Sequence, residues 1–372
     1  MSVAYSLVFF LSTLYFTTGF SFYGFSFYGW VVAFLFLFPL LQGVRLKSLV
    51  IFIIPIISVL SIFLSNGHEL DSRIFNVKLN GVVLIIIGAF YFFTTSNMST
   101  KINATKIYKI IGYVMTFHIL VALTQFLAWY IFSLDLDISD YFGGDGHRAF
   151  YYGVYRITGV FDEPAIYCTF ILSFIYLRYY LKGKNDLLNY IGVCTVIMSL
   201  SFAGIIIALI FLLISEGIRK KMIFIVVILI LIMITIIIIF PEIINSILIR
   251  METLQSGNDG STNLKYQFIK FWLENEQRML FGNGMVGYYD GKPKFFESSF
   301  DLTFIMTTLT TFGILFSVPI LFVLYYLLLK GREKKKTLLL LLLSLKITTV
   351  IFPYFWVLTG IIFTYERTKN NS

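Results

Sequence analysis

The sequence predicts an all-α protein, a polytopic integral membrane helical bundle of about twelve transmembrane helices that forms a single domain over residues 1–372. Three observations predict it. Of the 372 residues, 58% are hydrophobic and only 13% charged, with a mean hydropathy of +0.85, which excludes a soluble domain. Apolar runs recur at lengths near the roughly 17 to 25 residues that a helix needs to cross a bilayer. They are rich in Phe, Ile, Leu and Tyr and do not alternate polar with apolar, which argues for helices and against a β-barrel. Lys and Arg gather between the runs, and such clusters mark the cytoplasmic side.

In chain order, the run 3–20 lacks a basic start and reads as a first span, with no cleavable signal peptide apparent. Runs 27–44 and 48–64 meet at Arg45 and Lys47, and 79–95 and 107–132 meet at Lys101, Lys106 and Lys109. Run 163–181 ends at Lys182 and Lys184. Runs 188–200 and 202–216 are short, but basic residues flank the two together, so an even number of crossings is required and they form a hairpin. Run 222–240 leads outward from Arg219–Lys221, 299–329 returns to Lys330–Lys336, and 337–350 with 352–366 forms a second short pair before Arg367 and Lys369. Both termini then lie in the cytoplasm. On this reading the inner side carries 18 Lys and Arg against four acids and the outer side 10 against 16, with Lys346 inside a span. The pI of 9.3 therefore reports topology and not nucleic-acid binding.

Two outer segments are long, 133–163 and 241–298, far beyond an ordinary connection. In the second, Ser261 or Thr262 can cap an amphipathic helix through Lys265, Ile269, Trp272, Leu273 and Glu276 that stops at Gly282 and Gly284 and lies on the membrane surface. Both segments carry groups suited to anions. Arg148, Arg156, Arg250 and Arg278, with Lys265 and Lys270, suggest an anion site, because the guanidinium fork pairs two phosphate oxygens at once. The alternative is pairing with the outer acids or with headgroups; Arg156, beside Tyr155 and Gly159 and just before the chain re-enters the membrane, favours function.

Glu163 precedes Pro164 at the start of a span, where it can cap the helix or act as a general base, the helix start making it a weaker base. Glu297 to Asp301 repeats this arrangement, leaning toward structure. His147 beside Arg148 is either a base or a solvated histidine. His118 reads as a hydrogen-bonded core residue, and Ser201–Gly204 as a tight turn. Cys168 and Cys194 fall in apolar runs and read as packed free thiols. No spacing of His, Cys and acids suggests a bound metal.

The residues Arg156-Ile-Thr-Gly159-Val-Phe161-Asp-Glu163-Pro164 resemble the loop end of the bacterial O-antigen and capsule repeat-unit polymerases, the Wzy-type family, related to O-antigen ligases. Ser199–Gly204 resembles the family's Ser-rich hairpin tip. Arg250, Ser261–Lys265 and Phe281–Gly284 resemble its second outer loop, and Glu297–Gly313 its acid-led helix. The similarity runs from about the fifth span onward; only the first motif is fairly specific. Lys265 stands where the family often has Arg, and no histidine lies between Pro241 and Ser298, which favours polymerase over ligase.

The resemblance implies a GT-C-like glycosyltransferase of the bacterial inner membrane. It would transfer a glycan from undecaprenyl diphosphate to a lipid-linked repeat unit at the outer face. Arg156, Arg250 and Lys265 would bind the diphosphate with Arg148 and Arg278 assisting. Glu163, then His147, would serve as base, and Tyr155, Glu297 and Asp301 would contact the acceptor. It implies no cofactor or nucleic acid; its partners are the lipid-linked oligosaccharide, membrane lipid and a chain-length regulator protein. A flippase or exporter of the same lipids is the alternative of another class.

Overall fold

Backbone groups in a hydrocarbon layer must be satisfied internally, and the apolar runs of this chain do so as helices. The computed structural model describes residues 2–14, 17–22, 25–28, 46–64, 73–99, 102–140, 148–151, 154–217, 248–249, 252–253, 255–256, 260–284, 293–299, 301–329, 333–345 and 353–370. The order is α1 (Ser2–Ser12), a hairpin of β1 (Thr17–Phe22) and β2 (Phe25–Tyr28), a 3-10 turn at Leu46–Phe52, α2 (Ile53–Leu64), α3 (Arg73–Ser99) and α4 (Ala104–Phe132). A hairpin of β3 (Phe150–Tyr151) and β4 (Val154–Tyr155) precedes α5 (Pro164–Lys182), α6 (Leu187–Met198) and α7 (Phe202–Glu216). Then come α8 (Gly260–Leu273), α9 (Glu276–Phe281), a 3-10 turn at Lys294–Ser298, α10 (Phe304–Leu328), α11 (Lys334–Ser344) and α12 (Pro353–Asn370). The protein is mostly helical, and α4, α5 and α10 are long and apolar enough to cross a membrane.

Local sequence sets the ends. The Asn103 side chain accepts the Thr105 N–H to start α4, Asp186 accepts from Asn189 to start α6, and Thr303 accepts from Met306 to start α10. Helix α5 opens on Pro164 and stops at Gly183, whose φ of 73° a glycine adopts without steric cost.

Aromatic contacts show which helix ends lie together. Phe161, ahead of α5, stacks on Phe170 at 4.6 Å; Phe170 meets Tyr354 of α12 at 4.8 Å; and Phe355 stacks on Phe304, the first residue of α10, at 5.1 Å. The starts of α5, α10 and α12 therefore share one end of the bundle. The other end is basic, with Lys335 and Lys336 over the rings of Tyr179 and Tyr180. There the buried Arg178 guanidinium donates to Asn189 Oδ1 (3.0 Å), to the Tyr108 hydroxyl (2.8 Å) and carbonyl (3.2 Å), and to Asp186. A buried charge held this fully ties the α4–α5–α6 junction together.

Several expectations need correction. The predicted first span, 3–20, is helical only to Ser12. Thr17-Thr18-Gly19 are poor helix formers, and the following Phe, Ser and Tyr residues pair as strands, Phe22 opposite Phe25. The amphipathic helix of the second long segment starts at Gly260, so Ser261 and Thr262 lie inside it and do not cap it. It breaks at Asn275, which caps α9 by accepting the Arg278 N–H at 3.0 Å. The span predicted as 299–329 starts at Phe304 and is interrupted at Gly313, with φ 70° and ψ 168°. The predicted spans 27–44 (apart from Tyr28, in β2) and 222–240, and Lys346, lie outside the described residues.

The interruption in α10 has a physical account. Breaking a helix strands the carbonyls of the preceding turn, and a second chain segment supplies their donors. The N–H groups of Asn283 and Gly284 donate to the carbonyls of Thr310 (2.8 Å) and Thr311 (2.9 Å). Ser61 Oγ shares its one proton between the carbonyls of Phe281 (3.2 Å) and Phe312 (3.1 Å), and Ser317 Oγ donates to that of Thr308 (2.8 Å). The end of the second long segment is thus packed into a helix about 10 Å from its start, at 1.5 Å per residue, where the sequence predicts a loop wholly outside.

Candidate functional site: two anchored segments at one end of the bundle

The segment before α5 is held by one side chain. Gln125 Oε1 accepts the N–H groups of Thr158 (3.1 Å) and Gly159 (2.7 Å), and its Nε2 donates to the Leu136 carbonyl (3.1 Å) and Thr158 Oγ1 (3.3 Å). All four groups of the amide are used. Gly159 has φ 65°, and a Cβ there would meet the Tyr167 ring at 2.7 Å. Ile157, Val160 and Phe161 are buried around this anchor, and Phe161 lies parallel to the His118 ring, centroids 5.4 Å apart. His118 is buried and meets Thr13 Oγ1 at 3.0 Å.

On this anchored stretch the charged side chains come together. Arg148 pairs with Glu163 at 2.8 Å, and the Arg148 N–H donates to the Asp162 carbonyl. Arg156 donates from its guanidinium to the Arg148 carbonyl at 2.9 Å and the Ala149 carbonyl at 3.4 Å. Glu163 occupies the N-cap position of α5 without making a side-chain cap bond; its carboxylate is turned to Arg148. Tyr155 stacks on Trp129 at 5.0 Å, and its backbone carbonyl accepts the Tyr130 hydroxyl at 2.9 Å. Burial, with the Asp135 and Asp137 charges nearby, pushes the Tyr155 hydroxyl up and keeps it neutral.

The second segment holds a separate charge pair. Lys265 of α8 meets Asp301, just before α10, at 2.7 Å. Beneath it Phe268, Phe296 and Leu302 form a small apolar cluster with Phe271 and Phe295 against it. Arg278 packs within its own segment: its guanidinium lies over the Phe271 ring at 3.8 Å and donates to the Phe271 carbonyl at 2.9 Å, while its own carbonyl accepts the Trp272 indole N–H. Glu297 is exposed on its 3-10 turn. His147 and Arg250 lie outside the described residues.

The structure thus gathers Arg148, Arg156, Glu163 and Tyr155 in one group, Lys265 and Asp301 in another, and sets Arg278 at the α8–α9 corner. The two groups are joined through Phe161, Phe170, Tyr354, Phe355 and Phe304. Sequence reasoning missed Gln125 and Ser61, and read Asn283 only as part of the Phe281–Gly284 motif. A lone amide in an apolar span is the signal that flags Gln125; nothing local flags Ser61, whose partners are over 200 residues away. Among the described residues no three His, Cys, Asp or Glu side chains gather in a group fit to hold a metal ion.

Comparison of the chain with family models, with curated proteins and with solved structures finds no match.

Proposed function

We propose that this chain is a glycosyltransferase that polymerises lipid-linked oligosaccharides, with a GT-C-like bundle of about twelve crossings, both termini cytoplasmic, in a bacterial inner membrane. The observation that carries the reading is the gathering of Arg148, paired with Glu163, and of Arg156, bound to the Arg148 and Ala149 carbonyls, on a stretch that Gln125 anchors and whose residues resemble the Wzy-type loop. That stretch lies at the end of the bundle opposite the Lys-rich one, as an outer-face site requires under the positive-inside rule.

In this reading Arg156 and Arg148 stabilise the charge that develops on the departing diphosphate. The acceptor hydroxyl attacks the anomeric carbon, the C–O bond to phosphate breaks, undecaprenyl diphosphate leaves, and the hydroxyl proton passes to Glu163 or to water. No acid is needed for so good a leaving group. Preorganisation comes from Gln125, which fixes the loop before substrate arrives.

A second reading, a flippase or exporter for the same lipids, draws on the interruption of α10, since discontinuous helices often build transport sites. The freed carbonyls here already accept Asn283, Gly284 and Ser61, which leaves little for an ion to bind. The test is to supply the purified full-length protein with lipid-linked repeat units alone. Elongation is expected; its absence with bound substrate would sink the polymerase reading and leave ligase or transporter.

A further inference from the structure

The side chain of Asn283 is 8% exposed, and neither its Oδ1 nor its Nδ2 has a hydrogen-bond partner. A buried primary amide with both ends unmet costs free energy in the isolated fold, so its presence asks for an explanation. It is not alone. Four buried side-chain atoms of this region lack a partner among the described residues: both amide atoms of Asn283, Thr307 Oγ1 and Ser299 Oγ. The Asn283 N–H binds the Thr310 carbonyl, and Thr307 lies one turn earlier on the same helix face. Ser299 sits in the turn that leads into that helix.

The chemistry of these groups is specific. A carboxamide and hydroxyls present donors and acceptors with no net charge, so they select for neither a phosphate nor a metal ion. One end of the Asn283 amide could serve an anion or a cation, but the other end would then stay unmet. What fits is a neutral ligand that both donates and accepts within a few ångströms, as adjacent sugar hydroxyls or an acetamido group do. Water satisfies such atoms singly but gives no reason to keep an amide there.

We propose that Asn283, with Thr307, forms a neutral subsite for hydroxyl or acetamido groups of a glycan, separate from the charged Arg148–Arg156–Glu163 group. The inference rests on the glycan-polymerase reading for the identity of its ligand. Its role is to bind the sugar portion, leaving the diphosphate to the arginines.

Two probes test it on the full-length protein in detergent: undecaprenyl-diphosphate-linked oligosaccharide extracted from cells lacking the protein, and bare undecaprenyl diphosphate. Asn283→Ala and Thr307→Val are expected to weaken the oligosaccharide-bearing lipid about tenfold, the scale of one lost hydrogen-bonding group. Affinity for the bare lipid should not change. Both unliganded variants should melt at or above the temperature of the unaltered protein, because each removes an unmet polar group. Side chains kept for structure behave in the opposite way: a lower melting temperature with unchanged affinity in both variants overturns the proposal. Equal weakening of both probes, or no binding of the oligosaccharide by the unaltered protein, overturns it too. Elongation is scored separately, so protein that binds the oligosaccharide but does not extend it refutes the polymerase reading and leaves the subsite standing.

Discussion

Gly282 and Gly313 cross backbone to backbone: a Cβ on Gly282 would fall 2.5 Å from the Gly313 nitrogen, and one on Gly313 would strike Gly282 in return. Both have positive φ, 82° and 70°. The contact seats the Phe281–Gly284 segment in the interruption of α10, and neither side tolerates a side chain.

Gly282→Ala or Gly313→Ala should therefore cost more than about 3 kcal/mol, joining the strain of a positive-φ, extended conformation that is essentially glycine-only, about 1 to 3 kcal/mol, to a clash with backbone. Melting in detergent measures it. Gly260→Ala is the control, since a Cβ there meets nothing within 4 Å, and it should stabilise by up to about 1 kcal/mol. A Gly282→Ala protein that melts like the unaltered one would remove the crossing from the account.

Gln125→Leu should leave the Thr158 and Gly159 N–H groups buried without an acceptor, at about 1 to 3 kcal/mol each. The expected signature is local: amide exchange at those two residues accelerates while the middle of α4 stays protected. Uniform acceleration across α4 and α5 would mean that Gln125 supports the bundle as a whole and not this loop.

The legible part of the fold was what depends on local pattern. Apolar runs gave α4, α5, α6 and α7 within a few residues, because a helix in hydrocarbon satisfies itself and needs no distant partner. Gly313 was unreadable for the converse reason: its helix breaks only because Asn283, Gly284 and Ser61 arrive to replace the lost bonds. The candidate site divides similarly. Arg148, Arg156 and Glu163 lie within 16 residues and were found together, whereas Gln125, which orders them, is separated from Gly159 by a whole loop. Arg278 had the charge of a phosphate ligand, and only the fold shows Phe271 taking its guanidinium.

At the basic end, burial pushes the Asp186 carboxyl up, but the Tyr108 hydroxyl, the Arg178 guanidinium and the Asn189 N–H outweigh it and hold it below the usual carboxylate range. A carboxyl depressed in the fold adds stability that is present above its unfolded value, about 3.9, and is lost as pH falls through the folded one. Asp186→Asn should cost about 1 to 3 kcal/mol at pH 7, the lower part reflecting partial exposure of the carboxylate. The gap between the two proteins should narrow as pH falls below the unfolded value and through the lowered folded one. A gap that persists in acid would show that the pair contributes shape and not charge.

The Arg148–Glu163 pair separates stability from function. Its side chains are 72% and 30% exposed, and such pairs contribute at most about 1 kcal/mol. Glu163→Gln should thus melt near the unaltered protein. Arg156→Lys keeps the positive charge but loses the fork that reaches two carbonyls, and it too should fold. Under the proposed chemistry both lose activity far beyond their loss of stability, by about a hundredfold, the usual effect of removing one group that meets developing charge or a transferred proton. Surface glycan from cells making each variant at normal levels provides the readout, as a shift from long polymer to single repeats. Long polymer at the usual length from Arg156→Lys and Glu163→Gln alike would leave the loop a structural element and move the search for chemistry to Lys265 and Asp301.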